Sequence, residues 1–249
     1  MKTLALYNLK GGVGKTAAAV NLAYLASERG HRTLLWDLDP QGAAGWYLGV
    51  EPAPETSAKK LVRGKLPIGE FIQPTGYDRL DVLPANLSNR HLDRLLDEEP
   101  ASMQRLAELI EPLGEVYSLV VLDCPPSLSR LSANVFQAAD LIALPLIPTP
   151  LSVRAYEQVV EVLAKAKVRE LKLYAFLSML DRRRGLHREL VDSLPAQIKT
   201  LLASHIPYAS SVEQMGRRRA PLATFDARAE ASRAFESLWL EIEDLLGLR

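Results

Sequence analysis

Asn8-Leu9-Lys10-Gly11-Gly12-Val13-Gly14-Lys15-Thr16 decides the fold. The apolar run Leu4-Ala5-Leu6-Tyr7 precedes it and reads as a buried parallel strand. Residues Ala17 to Glu28, rich in Ala and Leu, follow it and read as a helix. Strand, glycine-rich turn and helix is the setting in which backbone N–H groups and a helix N-terminus gather around phosphate. Glycine lets those amides turn inward with no Cβ in the way. Gly11, Gly12, Val13, Gly14, Lys15 and Thr16 are therefore the expected nucleotide cradle. Lys15 reaches the β- and γ-phosphate oxygens, and the Thr16 hydroxyl ligates Mg²⁺.

Two further strands end in acid. Arg32-Thr33-Leu34-Leu35-Trp36-Asp37 reads as a strand that runs into Leu38-Asp39-Pro40-Gln41-Gly42. Alternation puts Asp37 and Asp39 on one side of an extended segment, at the carboxyl end where open parallel sheets bind ligands. The same residues also suit a helix start, with Asp39 as N-cap and Pro40 as the first helical residue. Ser118-Leu119-Val120-Val121-Leu122-Asp123 is the clearest strand of the chain. An apolar run ending in Asp places Asp123 to hold Mg²⁺ through a water and to accept from Thr16.

The loop departs from the common phosphate-binding pattern: Leu9 stands where Gly is usual, and a second lysine, Lys10, follows it. Lys-Gly-Gly-x-Gly-Lys-Thr resembles the deviant Walker A box of the ParA/MinD family. Asp37-Leu38-Asp39-Pro40-Gln41-Gly42 resembles that family's second block, and Asp123-Cys124-Pro125-Pro126 is typical of ParA-like proteins. Three blocks in the right order, over Lys2 to about Phe235, resemble the ParA/Soj type. The resemblance implies a doubly wound, mainly parallel α/β sheet with helices on both faces, forming one ATPase domain over residues 1–249. It implies that Lys10 joins the nucleotide set by reaching across an ATP-bound dimer, so that Lys10, Lys15 and Asp39 act in catalysis. Asp39 would orient the attacking water, with Asp37 behind the Mg²⁺ ligands Thr16 and Asp123. The loops after two late strands would line the adenine, with Met179 and Pro207 as the candidates. Ala17 stands where relatives often carry a second Thr on the α-phosphate, which implies a weaker hold on the nucleotide. The first strand begins almost at Met1, so the short form without a helix-turn-helix domain is expected, and no signal peptide.

The 249 residues suit one large α/β domain. Hydrophobic content of 48% and charged content of 24% are ordinary for a globular protein. Lys+Arg and Asp+Glu both number 30, so a nucleic-acid partner has to be argued from a local patch and not from net charge. The single cysteine, Cys124, excludes an internal disulfide, speaks against a thiol-bound cluster and fits a reducing cytoplasm. Cys124 reads as a small buried filler, with no base beside it. No apolar run approaches a membrane span. Glu51 to Pro74, with Pro52, Pro54 and Pro67, reads as loop with short helices. Leu80 to Pro84 and Leu141 to Leu146 read as strands. Leu92 to Leu113 reads as helical with a break near Pro100, and Val153 to Lys165 as a helix capped from Thr149-Pro150-Leu151-Ser152. The tail, about Glu230 to Leu246, sets Leu238, Trp239, Leu240 and Ile242 among Glu236, Glu241, Glu243 and Asp244. A membrane-surface helix wants Lys and Arg beside its apolar face, so this acidic tail reads as a docked core helix.

The function these features imply is an ATP-dependent dimerising switch. It would bind DNA without sequence preference, position or segregate a cargo, and hydrolyse ATP slowly until a ParB-like or other adaptor stimulates it. The expected place is the cytoplasm, on the nucleoid. Arg182, Arg183, Arg184 and Arg188 form one candidate DNA patch, and Arg217, Arg218 and Arg219 a second. The rivals are a MinD-like membrane ATPase and an ATP-dependent metabolic enzyme of the same clan, such as an amidoligase or carboxylase. A nitrogenase-reductase type needs paired cysteines, and a bacterial tyrosine kinase of this clan a tyrosine-rich tail; this chain has neither.

Overall fold

The computed structural model describes residues 1–52, 57–85, 87–98, 103–166, 168 and 170–249. Its strands are β1 (Lys2–Leu6), β2 (Thr33–Asp37), β3 (Gln73–Pro74), β4 (Leu80–Leu83), β5 (Leu119–Asp123), β6 (Leu141–Leu146), β7 (Lys172–Leu180) and β8 (Leu201–Pro207). The α-helices are α1 (Lys15–Glu28), α2 (Ala43–Tyr47), α3 (Ala58–Val62), α4 (Leu92–Asp97), α5 (Arg105–Ile110) and α6 (Arg130–Ala138). They continue with α7 (Pro150–Ala166), α8 (Gly185–Gln197), α9 (Ser210–Arg218), α10 (Leu222–Asp226) and α11 (Glu230–Leu246).

The strands pair in the order β3-β4-β2-β5-β1-β6-β7-β8, all parallel except the β3–β4 pair. Strands buried on both faces need apolar residues on both, and β1 supplies them. Leu4 and Leu6 enter one core, and Ala5 and Tyr7 the other. The first core lies under α1 and α11, with Leu22, Phe235 and Trp239; the second takes Leu95, Ile110, Phe136 and Leu194 from α4, α5, α6 and α8. The central strand β1 is flanked by β5 and β6, where the winding reverses. A crevice opens at such a point beyond the carboxyl ends of the strands, and the Asn8–Thr16 loop occupies it.

Some expected boundaries move. The helical stretch after Leu92 is two helices, α4 and α5; the expected break at Pro100, like Pro54, lies outside the described residues. Helix α7 starts at Pro150, three residues before the expected start. The two-residue strand β3 is too short to show alternation, and its Pro74 is tolerated because β3 is the sheet edge. The opposite edge, β8, is covered. Glu241 of α11 accepts the backbone N–H groups of Ala203 at 2.9 Å and Ser204 at 2.7 Å, which removes two donors from an open strand edge. The tail is thus a docked helix, with Phe235, Leu238, Trp239 and Ile242 all buried.

Candidate nucleotide-binding site

The glycine loop needs left-handed backbone, and its sequence provides it. Gly12 has φ +68° and Gly14, the N-cap of α1, has φ +89°. A Cβ on Gly14 would also sit 3.0 Å from Ser178 Oγ. The loop is braced from both sides. Asn8 donates through Nδ2 to the Pro145 carbonyl at 2.7 Å and accepts the Lys10 N–H at 2.9 Å. Ser178 donates to the Val13 carbonyl at 2.8 Å. The two lysines point different ways. Lys15 is buried and its ammonium donates to the Lys10 carbonyl at 3.2 Å, inside the loop. Lys10 is half-buried, and its ammonium leaves the loop for Ser152 Oγ on α7 at 3.4 Å.

Beside Lys15 lie two carboxylates without solvent. Asp37 and Asp123 are register neighbours at the ends of β2 and β5, and both are fully buried. Asp37 is held by backbone donors: Asp39 N–H at 3.1 Å, Ala44 N–H at 3.0 Å and Gly45 N–H at 3.4 Å. Burial still raises its carboxyl above the ordinary value. Neither oxygen of Asp123 has a hydrogen-bond partner of good geometry. Burial first, and then the Asp37 charge, raise the Asp123 carboxyl, while the Thr16 hydroxyl and the Lys15 ammonium pull it down. Burial lowers the Lys15 ammonium against the attraction of Asp123 and Asp39. Two adjacent buried carboxylates, one of them orphaned, with a threonine hydroxyl at hand, fit a hard divalent cation. Among the described residues no group of three or more His, Cys, Asp or Glu is placed to hold a metal by itself. That suits Mg²⁺, which takes one or two carboxylates and leaves its other positions to phosphates and water.

Asp39 is not a helix cap. The strand ends at Asp37, and Asp39 turns the chain by accepting the Gln41 N–H at 3.0 Å. The cap of α2 falls to Gly42, with φ +66°, and Pro40 lies in the turn and not in a helix. Asp39 still belongs to the cluster, since its charge acts on Lys15, Asp37 and Asp123.

Met179 and Pro207 come together in one cavity of about 220 Å³ beside Gly12, Gly14 and Ala17. Met179 sits at φ +53°, where the β7–β8 pairing slips. The same cavity is lined by Ser178, Tyr208, Val212 and Glu213, which the sequence reading left out. Ser178 gives no signal of this role in the sequence, where it is one small polar side chain in the largely apolar run Leu173 to Leu180.

The arginines divide. Asp181 accepts the Arg183 guanidinium at 2.9 and 3.1 Å and its N–H at 3.0 Å, and these bonds pull the Asp181 carboxyl down to about 2. Arg182 meets His205 Nε2 at 3.0 Å, and Arg184 lies 3.6 Å from Asp181. Arg188, Arg217 and Arg218 are exposed. Arg219 leaves its run and folds against Trp46. The patches lie at opposite ends of α9: Arg182 and Arg183 share a cavity with Ser210 and Ser211, and Arg217 to Arg219 close the helix.

Comparison with known proteins agrees with this geometry. A family model described as an AAA domain matches residues 1–174. The chromosome partitioning protein ParA of Myxococcus xanthus is 28% identical over 247 residues, 97% of this chain and 87% of the relative. The sporulation initiation inhibitor protein Soj of Bacillus subtilis is 28% identical over 247 residues, 97% of this chain and 98% of the relative. The crystal structure of cobyrinic acid a,c-diamide synthase from Mycobacterium smegmatis, with bound ATP analogue and magnesium, superimposes with a TM-score of 0.84 at 25% identity, over 100% of this chain and 97% of that one. Likeness along nearly the whole chain, around a glycine loop that keeps one lysine inside it and sends a second to α7, means that this chain belongs to the ParA/Soj family of partitioning ATPases.

Proposed function

We propose that the chain is an ATP-driven dimerising switch, one ATPase unit over residues 1–249, that holds non-specific DNA in its dimeric form and positions or segregates a cargo. An adaptor of ParB type would stimulate its slow hydrolysis on the nucleoid. The course of Lys10 out of the glycine loop, to Ser152 on α7, supports the reading. A lysine that served only its own nucleotide would turn into the loop, as Lys15 does. The α- and β-phosphates lie on the amides of Gly11 to Thr16, and Ala17 leaves the α-phosphate without a second hydroxyl. Lys15 exchanges the Lys10 carbonyl for phosphate oxygens, as a point charge on groups already cradled by N–H donors. The base enters the cavity between Met179 and Pro207. Thr16 and Asp123 would hold Mg²⁺, with Asp37 behind them. Mg²⁺ held there would offset the negative charge of the nucleotide phosphates. Asp39 orients the attacking water.

The cobyrinic acid a,c-diamide synthase likeness favours one second reading, an ATP-dependent amidoligase. Nucleotide-dependent assembly separates the two. Sedimentation of the Lys10→Ala variant with ATP is expected to give a monomer that binds ATP as wild type does. A variant dimer as tight as the wild-type dimer would make Lys10 a solvated loop residue and remove the basis of the switch.

A further inference from the structure

Trp46 and Arg219 tie the hydrolytic loop to the base cavity. Helix α2 begins directly after the Asp39 turn, and its Ala44 and Gly45 amides hold Asp37. Its next residue, Trp46, is 48% exposed, yet it is engaged on every polar atom. Its Nε1 donates to the Gly216 carbonyl at 2.9 Å, and its carbonyl accepts from Arg219 Nε at 3.2 Å. The Arg219 guanidinium stacks 4.0 Å above the indole and pairs with Glu51 at 2.9 Å. The fit is close: a Cβ on Gly216 would stand 3.2 Å from the Tyr47 ring.

Arg219 makes these bonds from an unfavourable backbone. It closes α9 at φ +52°, the left-handed position that a glycine fills without strain. The other end of α9 faces the base cavity through Val212 and Glu213. Between them, Met215 is fully buried and its sulfur takes Asn21 Nδ2 of α1 at 3.2 Å. A nine-residue helix, anchored in its middle and about 13 Å long, thus has one end at the cavity and the other on the tryptophan beside Asp37 and Asp39.

We propose that Trp46 and Arg219 are positioning residues: a base in the cavity moves α9, and the Trp46–Arg219 stack carries that movement to α2 and sets Asp39. This rests on the reading of the cavity as the base site and of Asp39 as the water-orienting group. It demands that the base, and not the phosphates alone, be felt at Trp46.

Trp46 is the exposed tryptophan of the three, since Trp36 and Trp239 are 2% and 1% exposed but also emit, and loss of the nucleotide-induced change in Trp46→Phe assigns the signal to it. The test uses the full-length protein with Mg²⁺ and compares ADP with inorganic tripolyphosphate, which lacks a base. Wild type is expected to change its tryptophan emission with ADP and not with tripolyphosphate. Arg219→Gly keeps the left-handed turn without strain, so its unfolding midpoint stays near that of wild type. It is expected to lose the ADP-induced emission change and to lower kcat for ATP about tenfold, with KM within about twofold. Arg219→Lys keeps a charge for Glu51 but not the planar stack, and is expected not to restore either property. Equal emission changes with ADP and tripolyphosphate, or an Arg219→Gly variant with wild-type emission change and kcat, would overturn the proposal while the base-site reading stands. Wild type that binds no ADP by calorimetry would overturn both.

Discussion

Asp39, the residue proposed to orient the attacking water, has the least elaborate scaffold of the three carboxylates: one accepted N–H from Gln41, a turn closed on Gly42, and no burial comparable to that of Asp37 and Asp123. A carboxylate that is partly solvated beside two dry ones stays available to a water, while the dry pair answers to a cation. Asp39→Ala is therefore expected to bind ATP and dimerise but to lose about a hundredfold or more in turnover, as for a group that acts in the chemical step and not in ground-state binding. Phosphate release under adaptor stimulation, set against calorimetric ATP affinity, measures both halves. Unchanged turnover would move the role to Asp37. At this scale the sequence was readable wherever a residue type has one use. Gly12 and Gly14 had to be left-handed, and Asp37 and Asp123 had to end strands. It was ambiguous at Asp39, which fits a cap and a turn equally well until Gly42 takes the cap. It was silent on Ser178 and Arg219, because a strand hydroxyl and a third consecutive arginine acquire partners only when β7 meets the loop and α9 meets α2.

Helix α11 shows how much an element's charge pattern can decide. Its acidic residues are structural partners: Glu241 covers the edge of β8, and Glu243, 2% exposed, faces Arg29, His31 and Arg249. Arg29 Nε lies 3.0 Å and His31 Nε2 2.8 Å from its oxygens, just beyond the last turn of α1. Burial alone would raise the Glu243 carboxyl, but the bonds and charges of Arg29 and His31 outweigh it and hold the carboxyl below its ordinary value of 4.5. A folded-state value below the unfolded one means that the unfolded chain binds the proton more readily. The contribution is therefore complete above about pH 4.5 and is lost as pH falls through the lower folded value. Glu243→Gln is expected to lower unfolding free energy by about 1–3 kcal/mol at pH 7, the range for hydrogen bonds to a charged group. The gap should narrow at a second, acid pH below 4.5, as the wild-type carboxyl takes up its proton. Denaturant titrations of both proteins at the two pH values measure it, and a gap unchanged with pH would mean that the Glu243 charge contributes nothing. The docked tail also bears on the membrane reading. Its apolar face is spent on Phe235, Leu238, Trp239 and Ile242 in the core, and among the described residues no helix is long and apolar enough to cross a membrane.

On the scale of the whole molecule, charge has to be concentrated before it can hold DNA, because 30 basic and 30 acidic residues cancel. The structure thins the expected patches unevenly. Asp181 takes part of the charge of Arg183 and Arg184, and Arg219 is turned onto Trp46 and Glu51, so Arg217 and Arg218 are what the second run leaves exposed. What is left brackets α9, with Arg182 and Arg183 near one end and Arg217 and Arg218 at the other. Under the proposed switch, a dimer doubles these patches and so spans more phosphates than one subunit. Because each neutralised phosphate adds about −0.9 to the log–log salt slope, a doubled patch multiplies affinity at low salt and loses it steeply as salt rises. Binding is therefore expected with ATP, at low salt, to any duplex sequence, and to be far weaker with ADP. Fluorescence anisotropy of labelled duplexes over a salt series, with each nucleotide, reads the slope directly. Replacing Arg182, Arg183 and Arg184 together with Glu should reduce the slope by roughly two to three, about one per phosphate contact removed. Sedimentation should show the ATP dimer of that variant intact, since these side chains bond to Asp181 and His205 and not to the glycine loop. Equal binding of wild type with either nucleotide would end the switch model. A triple variant with the wild-type slope would place the DNA face at Arg217 and Arg218, and paired Glu substitutions there would then have to reduce the slope.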